Sequence, residues 1–100
     1  MFVIVYRWRL KAGREDEFAQ SWQRMTELIG RQCGSRGSAL FRGDDGTFSA
    51  IALWPDRSAR ERCSVDAEPE LARMMDCVQE RYPEQRLETV SNLWAFPDAR

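Results

Sequence analysis

The chain has one hundred residues, with 15 basic and 16 acidic side chains and a net charge of −1. This length supports a single domain with one hydrophobic core, which we place over residues 1–100. The balanced charge lacks the basic excess of a nucleic-acid-binding protein, and the sequence holds no run of about 18 apolar residues that would span a membrane. We therefore expect a cytoplasmic protein with neither a nucleic-acid partner nor a membrane partner.

Histidine is absent from the sequence, which removes the commonest general base and the commonest metal ligand. Ser-His-Asp and Cys-His catalysis are therefore excluded within this chain. The cysteines Cys33, Cys63 and Cys77 are odd in number and widely spaced, which favours free thiols in a reducing compartment over a disulfide framework. Their spacing gives no indication of a zinc site, and we expect neither a metal nor another cofactor.

The first third of the chain predicts a strand followed by a helix. Large apolar side chains alternate over Phe2–Leu10 with the two-residue period of a pleated strand. Over residues 14–33 the apolar side chains recur with the 3.6-residue period of an amphipathic helix. The apolar stripe of this helix comprises Phe18, Trp22, Met25 and Ile29.

The middle of the chain predicts a β-hairpin. Ser38–Arg42 has the length and composition of a short strand, and the Gly-Asp-Asp-Gly turn at 43–46 tolerates the left-handed backbone of tight turns. Residues 47–54 form a second strand that is apolar on both sides, so we expect both of its faces to be covered. Pro55 ends this strand because it lacks the N–H needed to continue the ladder.

Two further helices and a last strand are predicted after the hairpin. A short helix spans residues 57–63, and a longer one runs over residues 66–82 until Pro83 ends it. Residues 86–96 form the last predicted strand. The apolar stripe of the longer helix comprises Leu71, Met74, Met75, Val78 and Tyr82.

The predicted order, β-α-β-β-α-β, is the ferredoxin-like pattern of the α+β class. Its antiparallel four-stranded sheet carries both helices on one face. The other face would expose Val3, Val5 and part of the third strand, a sizeable apolar patch for a 100-residue monomer. Packing two such sheets face to face buries the patch, so we expect a homodimer with a two-fold interface.

The sequence resembles the antibiotic biosynthesis monooxygenase (ABM) family over nearly its whole length. The resemblance is carried by Phe2–Leu10 with the Lys-Ala-Gly-Arg-Glu-Asp-Glu-Phe segment at 11–18, and by Ile-Ala-Leu-Trp-Pro-Asp-Arg at 51–57. It implies the dimeric α/β barrel of that family and a monooxygenase that oxidises a small aromatic or quinol-type molecule without metal or flavin. The alternatives are a non-catalytic dimer that binds a small lipophilic molecule, and a structural dimer whose cavity is filled by side chains.

The resemblance disfavours haem degradation, which one branch of the ABM family performs. That branch uses an Asn in the first strand, a Trp on the short helix and a haem-ligating His on the second helix. At the matching positions this chain has Tyr6, Cys63 and Met74 or Met75, so none of the three is retained. The missing short-helix Trp also weakens the analogy to the members that oxidise aromatic compounds.

The candidate site residues are polar and aromatic side chains suited to a flat organic ligand. Tyr6 and Asn92 lie in predicted strands, where they either act catalytically by hydrogen-bonding a substrate anion or satisfy backbone groups. Trp54, at a strand end, is interpreted as packing. Aromatic and Met side chains line ligand cavities but also fill cores and interfaces, and both interpretations stay open here. The candidate substrate-binding residues are Trp8, Trp22, Met25, Cys63, Met75 and Trp94.

Overall fold

A computed structural model describes residues 1–95 of the chain. These residues form an α+β domain with a five-stranded antiparallel sheet and three helices, which confirms the predicted fold class. Within this part of the chain, no helix combines the length and the apolar character needed to cross a membrane. The elements are β1 Phe2–Leu10, α1 Glu15–Cys33, β2 Ser38–Arg42, β3 Phe48–Trp54, α2 Arg57–Glu61, α3 Pro69–Asp76, β4 Val78–Arg81 and β5 Gln85–Glu88.

The sheet is organised around β1, the longest strand. β1 pairs with β3 on one side and with both β4 and β5 on the other, and β2 extends the sheet beyond β3. β4 pairs with the end of β1, where Leu10 faces Val78, and β5 pairs with its start, where Phe2 faces Glu88. The two short strands together therefore occupy the place of the single fourth strand of the ferredoxin-like fold.

Two predicted elements differ from the observed ones by more than two residues. The helix predicted over 66–82 begins at Pro69 and ends at Asp76, and residues 78–81 form β4 instead. A continued helix would leave the far end of β1 as an unpaired edge, whereas β4 satisfies those backbone groups. The strand predicted over 86–96 spans only Gln85–Glu88 among the described residues, and residue 96 lies outside them.

The core lies between the three helices and one face of the sheet. Phe2, Ile4, Trp8 and Leu10 alternate along β1 and are all buried on this face. Phe18 of α1 is fully buried against it. Its ring meets the rings of Trp8 and Phe48 edge-on, with centroids 5.1 and 6.3 Å away. The two-residue period of β1 and the 3.6-residue period of α1 therefore meet in one core, as predicted.

The opposite face of the sheet has no covering layer among the described residues. The strand register sets Val5 beside Ile51 and Val3 beside Leu53, and these four side chains are half-buried. Two larger apolar side chains on the same sheet, Phe41 and Leu87, are 51% and 45% exposed. The expectation that both faces of β3 are covered is met on one face only within a single chain. We call these six apolar residues the open face.

Asp45 holds the turn between β2 and β3. Its carboxylate accepts hydrogen bonds from the Thr47 hydroxyl at 2.6 Å and the Thr47 backbone N–H at 2.9 Å. Nη2 of Arg7 donates to the same carboxylate at 2.9 Å. These bonds, those of Thr47 foremost, lower the pKa of Asp45 to about 2. Gly46 next to it has a φ of +85°, which glycine adopts without strain.

We expect this turn to make the stability of the protein sensitive to acid. The pKa of Asp45 in the folded protein, about 2, is below its ordinary value of 3.8. The carboxylate therefore stabilises the fold fully above about pH 4, and this contribution is lost as the pH falls toward 2. Urea unfolding between pH 2 and 5 should show a shallower loss of stability for Asp45→Asn than for the wild type. Identical pH dependence in the two proteins would contradict this assignment.

Candidate functional site

A cavity of about 260 Å³ lies between the helices and the core face of the sheet. The helices supply a wall of thioether and aliphatic side chains, and the sheet supplies a wall of aromatic ones. Pockets for small organic molecules have this mostly apolar character with few polar groups. The apolar lining comprises Tyr6 and Trp8 of β1, Trp22, Met25 and Ile29 of α1, Ala52 and Trp54 of β3, and Leu71, Met74 and Met75 of α3.

Six of the eight site residues proposed from the sequence line this cavity. Asn92 and Trp94 do not: both are exposed beyond β5, where Asn92 Oδ1 accepts a hydrogen bond from the Trp94 backbone N–H at 3.0 Å. The strand predicted to carry them ends at Glu88, so the described chain does not bring Asn92 beside Tyr6. The functional roles of all eight residues stay predictions. The six that line the cavity are Tyr6, Trp8, Trp22, Met25, Cys63 and Met75.

The rings of Tyr6 and Trp8 form a flat aromatic surface in the cavity. Two residues apart on β1, they lie on the same face of the sheet. Their ring centroids are 5.6 Å apart and their planes differ by 4°. The ring of Phe18 packs edge-on against Trp8. A planar ligand can stack on such a surface, since offset parallel rings attract one another.

Trp54 carries an unpaired hydrogen-bond donor, which the sequence analysis missed. The residue is 3% exposed and lines the cavity, and its indole Nε1–H is enclosed with no acceptor among the described residues. The guanidinium of Arg60 lies 5.9 Å from the centre of its ring. A buried N–H without a partner is unusual and is satisfied when a ligand oxygen accepts its hydrogen bond. A Trp at the end of an apolar strand is recognisable in the sequence, but the direction of its N–H is not.

Glu84 brings a carboxylate to the same cavity and was also missed. It follows Pro83 in the short break between β4 and β5. Its Oε2 atom is enclosed and accepts no hydrogen bond from the described residues, although Nε of Arg86 lies 3.4 Å away. Arg86 is thus within ion-pair distance but is not aligned to donate a hydrogen bond. Other charged side chains along the cavity are Arg60, Asp66 and Arg81.

Cys33 and Cys63 form a disulfide, so the expectation of three free thiols is wrong. The bond joins the end of α1 to the segment after α2, and Cys63 lies in the cavity wall. The partners are 30 residues apart in sequence and meet only through the packing of the helices on the sheet. Cys77 is the free thiol, and its burial raises its pKa above the ordinary value.

Within residues 1–95 no group of three or more His, Cys, Asp or Glu side chains is arranged to hold a metal ion. A second hollow of about 380 Å³ lies between α1 and α3 and is more open to solvent. Its charged side chains bond one another, with Arg24 and Arg73 donating to Glu70 at 2.9 and 3.2 Å. These three side chains are thus already paired with one another, and the more enclosed aromatic cavity is the better candidate site.

The family profile described as antibiotic biosynthesis monooxygenase matches residues 1–63. The match extends from β1 to Cys63 and covers more than half of the chain. The chain belongs to the antibiotic biosynthesis monooxygenase family. The resemblance seen in the sequence is therefore confirmed. No curated protein matches this ABM-family chain.

Solved structures share the fold over nearly the whole chain. SnoaB from Streptomyces nogalater, a cofactor-independent oxygenase, is 21% identical with a TM-score of 0.76, covering 92% of this chain and 95% of SnoaB. A Bordetella bronchiseptica protein that is described as an antibiotic biosynthesis monooxygenase is 19% identical with a TM-score of 0.76. The alignment covers 90% of this chain and 97% of that protein. Rv0793 from Mycobacterium tuberculosis is 12% identical with a TM-score of 0.72, covering 93% and 98%. At these identities the likeness shows the ABM ferredoxin-like fold.

Proposed function

We propose that this ABM-family protein is a monooxygenase that oxidises a small aromatic or quinol-type molecule with O₂ and needs no metal or flavin. The observation that carries the proposal is the enclosed, unpaired Nε1–H of Trp54 in a cavity that is otherwise aromatic and aliphatic. Such a donor fits a flat ligand that bears a carbonyl or phenolic oxygen. The oxygenase activity of SnoaB, which shares the fold, supports the same chemistry.

The proposed reaction uses the ligand itself as the electron source. Loss of a proton from an activated CH₂ group leaves an electron-rich carbanion, which reduces O₂ directly. The overall change, R₂CH₂ + O₂ → R₂C=O + H₂O, balances without a further oxidant or reductant. Hydrogen bonds from Trp54 Nε1 and the Tyr6 hydroxyl would stabilise the negative charge that develops on the ligand oxygen, and the aromatic surface of Tyr6 and Trp8 would hold the ring.

Oxygen consumption with anthrone tests this proposal. Wild-type protein should accelerate oxygen uptake and form anthraquinone, and Tyr6→Phe should lower the rate by about tenfold because one anion-stabilising donor is lost. Tyr82→Phe is the matched control, since its hydroxyl bonds Glu80 at 3.1 Å outside the cavity. Wild-type rates no faster than those of the buffer, across anthrones and quinols, would contradict the oxygenase proposal.

A non-catalytic binding role is the second candidate. The chain has no histidine and so lacks the commonest general base, which a carrier or sensor of lipophilic molecules would not need. Saturable quenching of tryptophan fluorescence by the same compounds, without oxygen uptake, would favour this role. The cavity itself counts against a third alternative, a structural dimer with no room for a ligand.

We also propose that the protein is a homodimer formed by the open faces of two sheets. Apolar side chains as large as Phe41 and Leu87 stay half exposed in one chain, and a two-fold interface would bury them. Ile51→Glu places a charge in this apolar face and should convert the dimer to a monomer in sedimentation. Gln20→Glu, on the exposed side of α1, should leave it dimeric. A wild-type mass of one chain would contradict the proposal.

A cytoplasmic location also stays a proposal. It was expected from the composition and from three free thiols, and the second of these reasons is removed by the disulfide between Cys33 and Cys63. Disulfides persist mainly in oxidising compartments. Alkylation of thiols in freshly lysed cells would show whether this pair is reduced or oxidised where the protein resides. Modification of both cysteines would support a cytoplasmic location, whereas modification of neither cysteine would contradict it.

A further inference from the structure

We propose that Glu84 is the proton acceptor of the cavity, and that the ligand therefore carries an acidic hydroxyl on an aromatic ring. This inference rests on the proposed function, because it assigns a chemical class to the ligand of the same cavity. It goes beyond that proposal by naming the group that takes up a proton from the ligand. It also predicts that aromatic ligands with a hydroxyl group bind more tightly than those without a hydrogen-bond donor.

The position of Glu84 follows from the break between β4 and β5. β4 ends at Arg81 and β5 begins at Gln85, which pairs with Val5 of β1. Glu84 therefore comes next to the part of β1 that carries Tyr6, and both residues line the cavity. Pro83 has no N–H to give to a ladder, and residues 83 and 84 are outside the regular pairing of β4 and β5 with β1.

The electrostatic situation of Glu84 is unusual for an acidic residue. Its side chain is 23% exposed, and its Oε2 atom is enclosed without a hydrogen-bond donor from the described residues. Arg86, with Nε 3.4 Å from Oε2, balances the charge but is not aligned to donate. The carboxylate thus has a counter-ion and a free lone pair. Enclosed acceptors are normally paired, and a ligand hydroxyl would supply the missing donor.

The enclosed polar atoms of the cavity indicate which groups the ligand carries, whereas the second carboxylate along the cavity, that of Asp66, is exposed. Trp54 Nε1–H can only donate, and the Ser38 hydroxyl already donates to the Ile51 carbonyl at 3.0 Å. Glu84 accepts and Trp54 donates, so a ligand that satisfies both has a hydroxyl group and a second oxygen that accepts. An aromatic ring with a phenol and a carbonyl or second hydroxyl meets this requirement.

The proton transfer is balanced within the cavity. The O–H bond of the ligand breaks, the proton forms a bond to Oε2 of Glu84, and the electron pair stays on the ligand oxygen. No net oxidation or reduction takes place in this step. The resulting phenolate is more electron-rich than the phenol and is therefore the more readily oxidised form of a quinol-type ligand.

Binding of 2-naphthol and 2-methoxynaphthalene, measured by calorimetry, tests the donor requirement. The two compounds differ by one methyl group, which removes the hydroxyl proton. Wild type should bind the naphthol about tenfold more tightly than the ether, as expected for a hydrogen bond to a charged acceptor. Glu84→Leu should bind the two within about twofold, with the ether unchanged. Glu88→Leu is the control, because Glu88 is an exposed residue of β5 that does not line the cavity.

The fluorescence of bound 2-naphthol tests the proton transfer directly, since naphthols become much stronger acids when excited. Excited at wavelengths beyond tryptophan absorption, 2-naphthol should emit as naphtholate in the wild type and as neutral naphthol in Glu84→Leu. Glu84→Gln keeps the side-chain volume but cannot take up a proton. It should also give neutral emission, and it guards against a folding defect in the leucine variant.

The outcomes separate this inference from the proposed function. A naphthol preference or naphtholate emission that persists in both Glu84 variants would overturn the role of Glu84 while leaving the oxygenase proposal intact. Glu84-dependent binding and emission without oxygen uptake from any hydroxylated compound would support the inference and overturn the oxygenase activity. Binding of neither naphthalene compound to the wild type would overturn the inference.

Discussion

Replacing Trp54 with phenylalanine is expected to lower the rate of oxygen consumption by about tenfold to a hundredfold, because the donor that stabilises the developing anion is removed. A neutral hydrogen bond to the bound ligand contributes only about 1 kcal/mol net, so the affinity should fall by less than the rate. The indole ring of Trp54 is 3% exposed and its N–H has no partner in the described chain. Phenylalanine keeps an aromatic ring in the core while the donor disappears. Oxygen-electrode assays that separate kcat from KM measure this difference.

Trp22→Phe is the matched substitution for this experiment. Trp22 also lines the cavity, but it is only partly buried and its indole nitrogen is not among the enclosed unpaired atoms. Its replacement should cost less activity than that of Trp54. Equal losses in the two variants would mean that ring volume, and not the Trp54 N–H, determines the rate.

Removing the disulfide is expected to lower the free energy of unfolding by about 2–4 kcal/mol, since a cross-link restricts the unfolded chain. The bond between Cys33 and Cys63 closes a loop with a sequence separation of 30. This loop contains β2, β3 and α2. The conformational entropy of the unfolded chain therefore rises when the disulfide is removed. Urea unfolding of the double variant Cys33→Ser/Cys63→Ser, compared with the wild type without reductant, measures the effect.

A reductant supplies the control for the disulfide variant. Wild type treated with dithiothreitol should lose about as much stability as the double variant loses, and the double variant itself should not respond, because Cys77 is then its only thiol. Ordinary surface substitutions change the free energy of unfolding by up to about 0.5 kcal/mol. A difference smaller than this between the variant and the untreated wild type would contradict the expected contribution of the disulfide.

The disulfide also affects the candidate site, because Cys63 lies in the cavity wall. The bond ties the segment between α2 and α3 to the end of α1. This segment carries Val65 and Asp66, which line the same cavity. A loss of ligand affinity in the double variant would therefore report on the position of this wall, while the effect on unfolding reports on the restriction of the chain.

The elements that the sequence determined by itself are those with a long local pattern. Nine alternating residues specify β1, and nineteen residues with one apolar stripe specify α1. The glycines and aspartates of the 43–46 turn specify the hairpin because few residues tolerate its backbone. These signals act within a few residues of one another, and together with the 51–57 segment they were sufficient to indicate the α+β fold and the ABM family.

Only the tertiary structure decided where α3 ends. The side chains of Val78 and Tyr82 continue the apolar stripe of the helix and are equally compatible with a strand. The open hydrogen bonds at the edge of β1 favour the strand, because Leu10 pairs with Val78 and the Cys77 carbonyl accepts from the Lys11 N–H at 2.8 Å. Pairing between residues 66 and 68 positions apart in the sequence is invisible in a local pattern.

The candidate site divides in the same way. Five of the aromatic and Met side chains that line the cavity were recognisable because they share the inner faces of β1, α1 and α3, namely Tyr6, Trp8, Trp22, Met25 and Met75. The chemically most informative atoms, the N–H of Trp54 and the enclosed oxygen of Glu84, were not recognisable in the sequence. Each is unpaired because no neighbouring group in the folded chain reaches it. The disulfide depends likewise on two cysteines brought together by helix packing. Local periodicity determines which faces become buried, whereas the partner of each buried polar atom is set by distant parts of the chain.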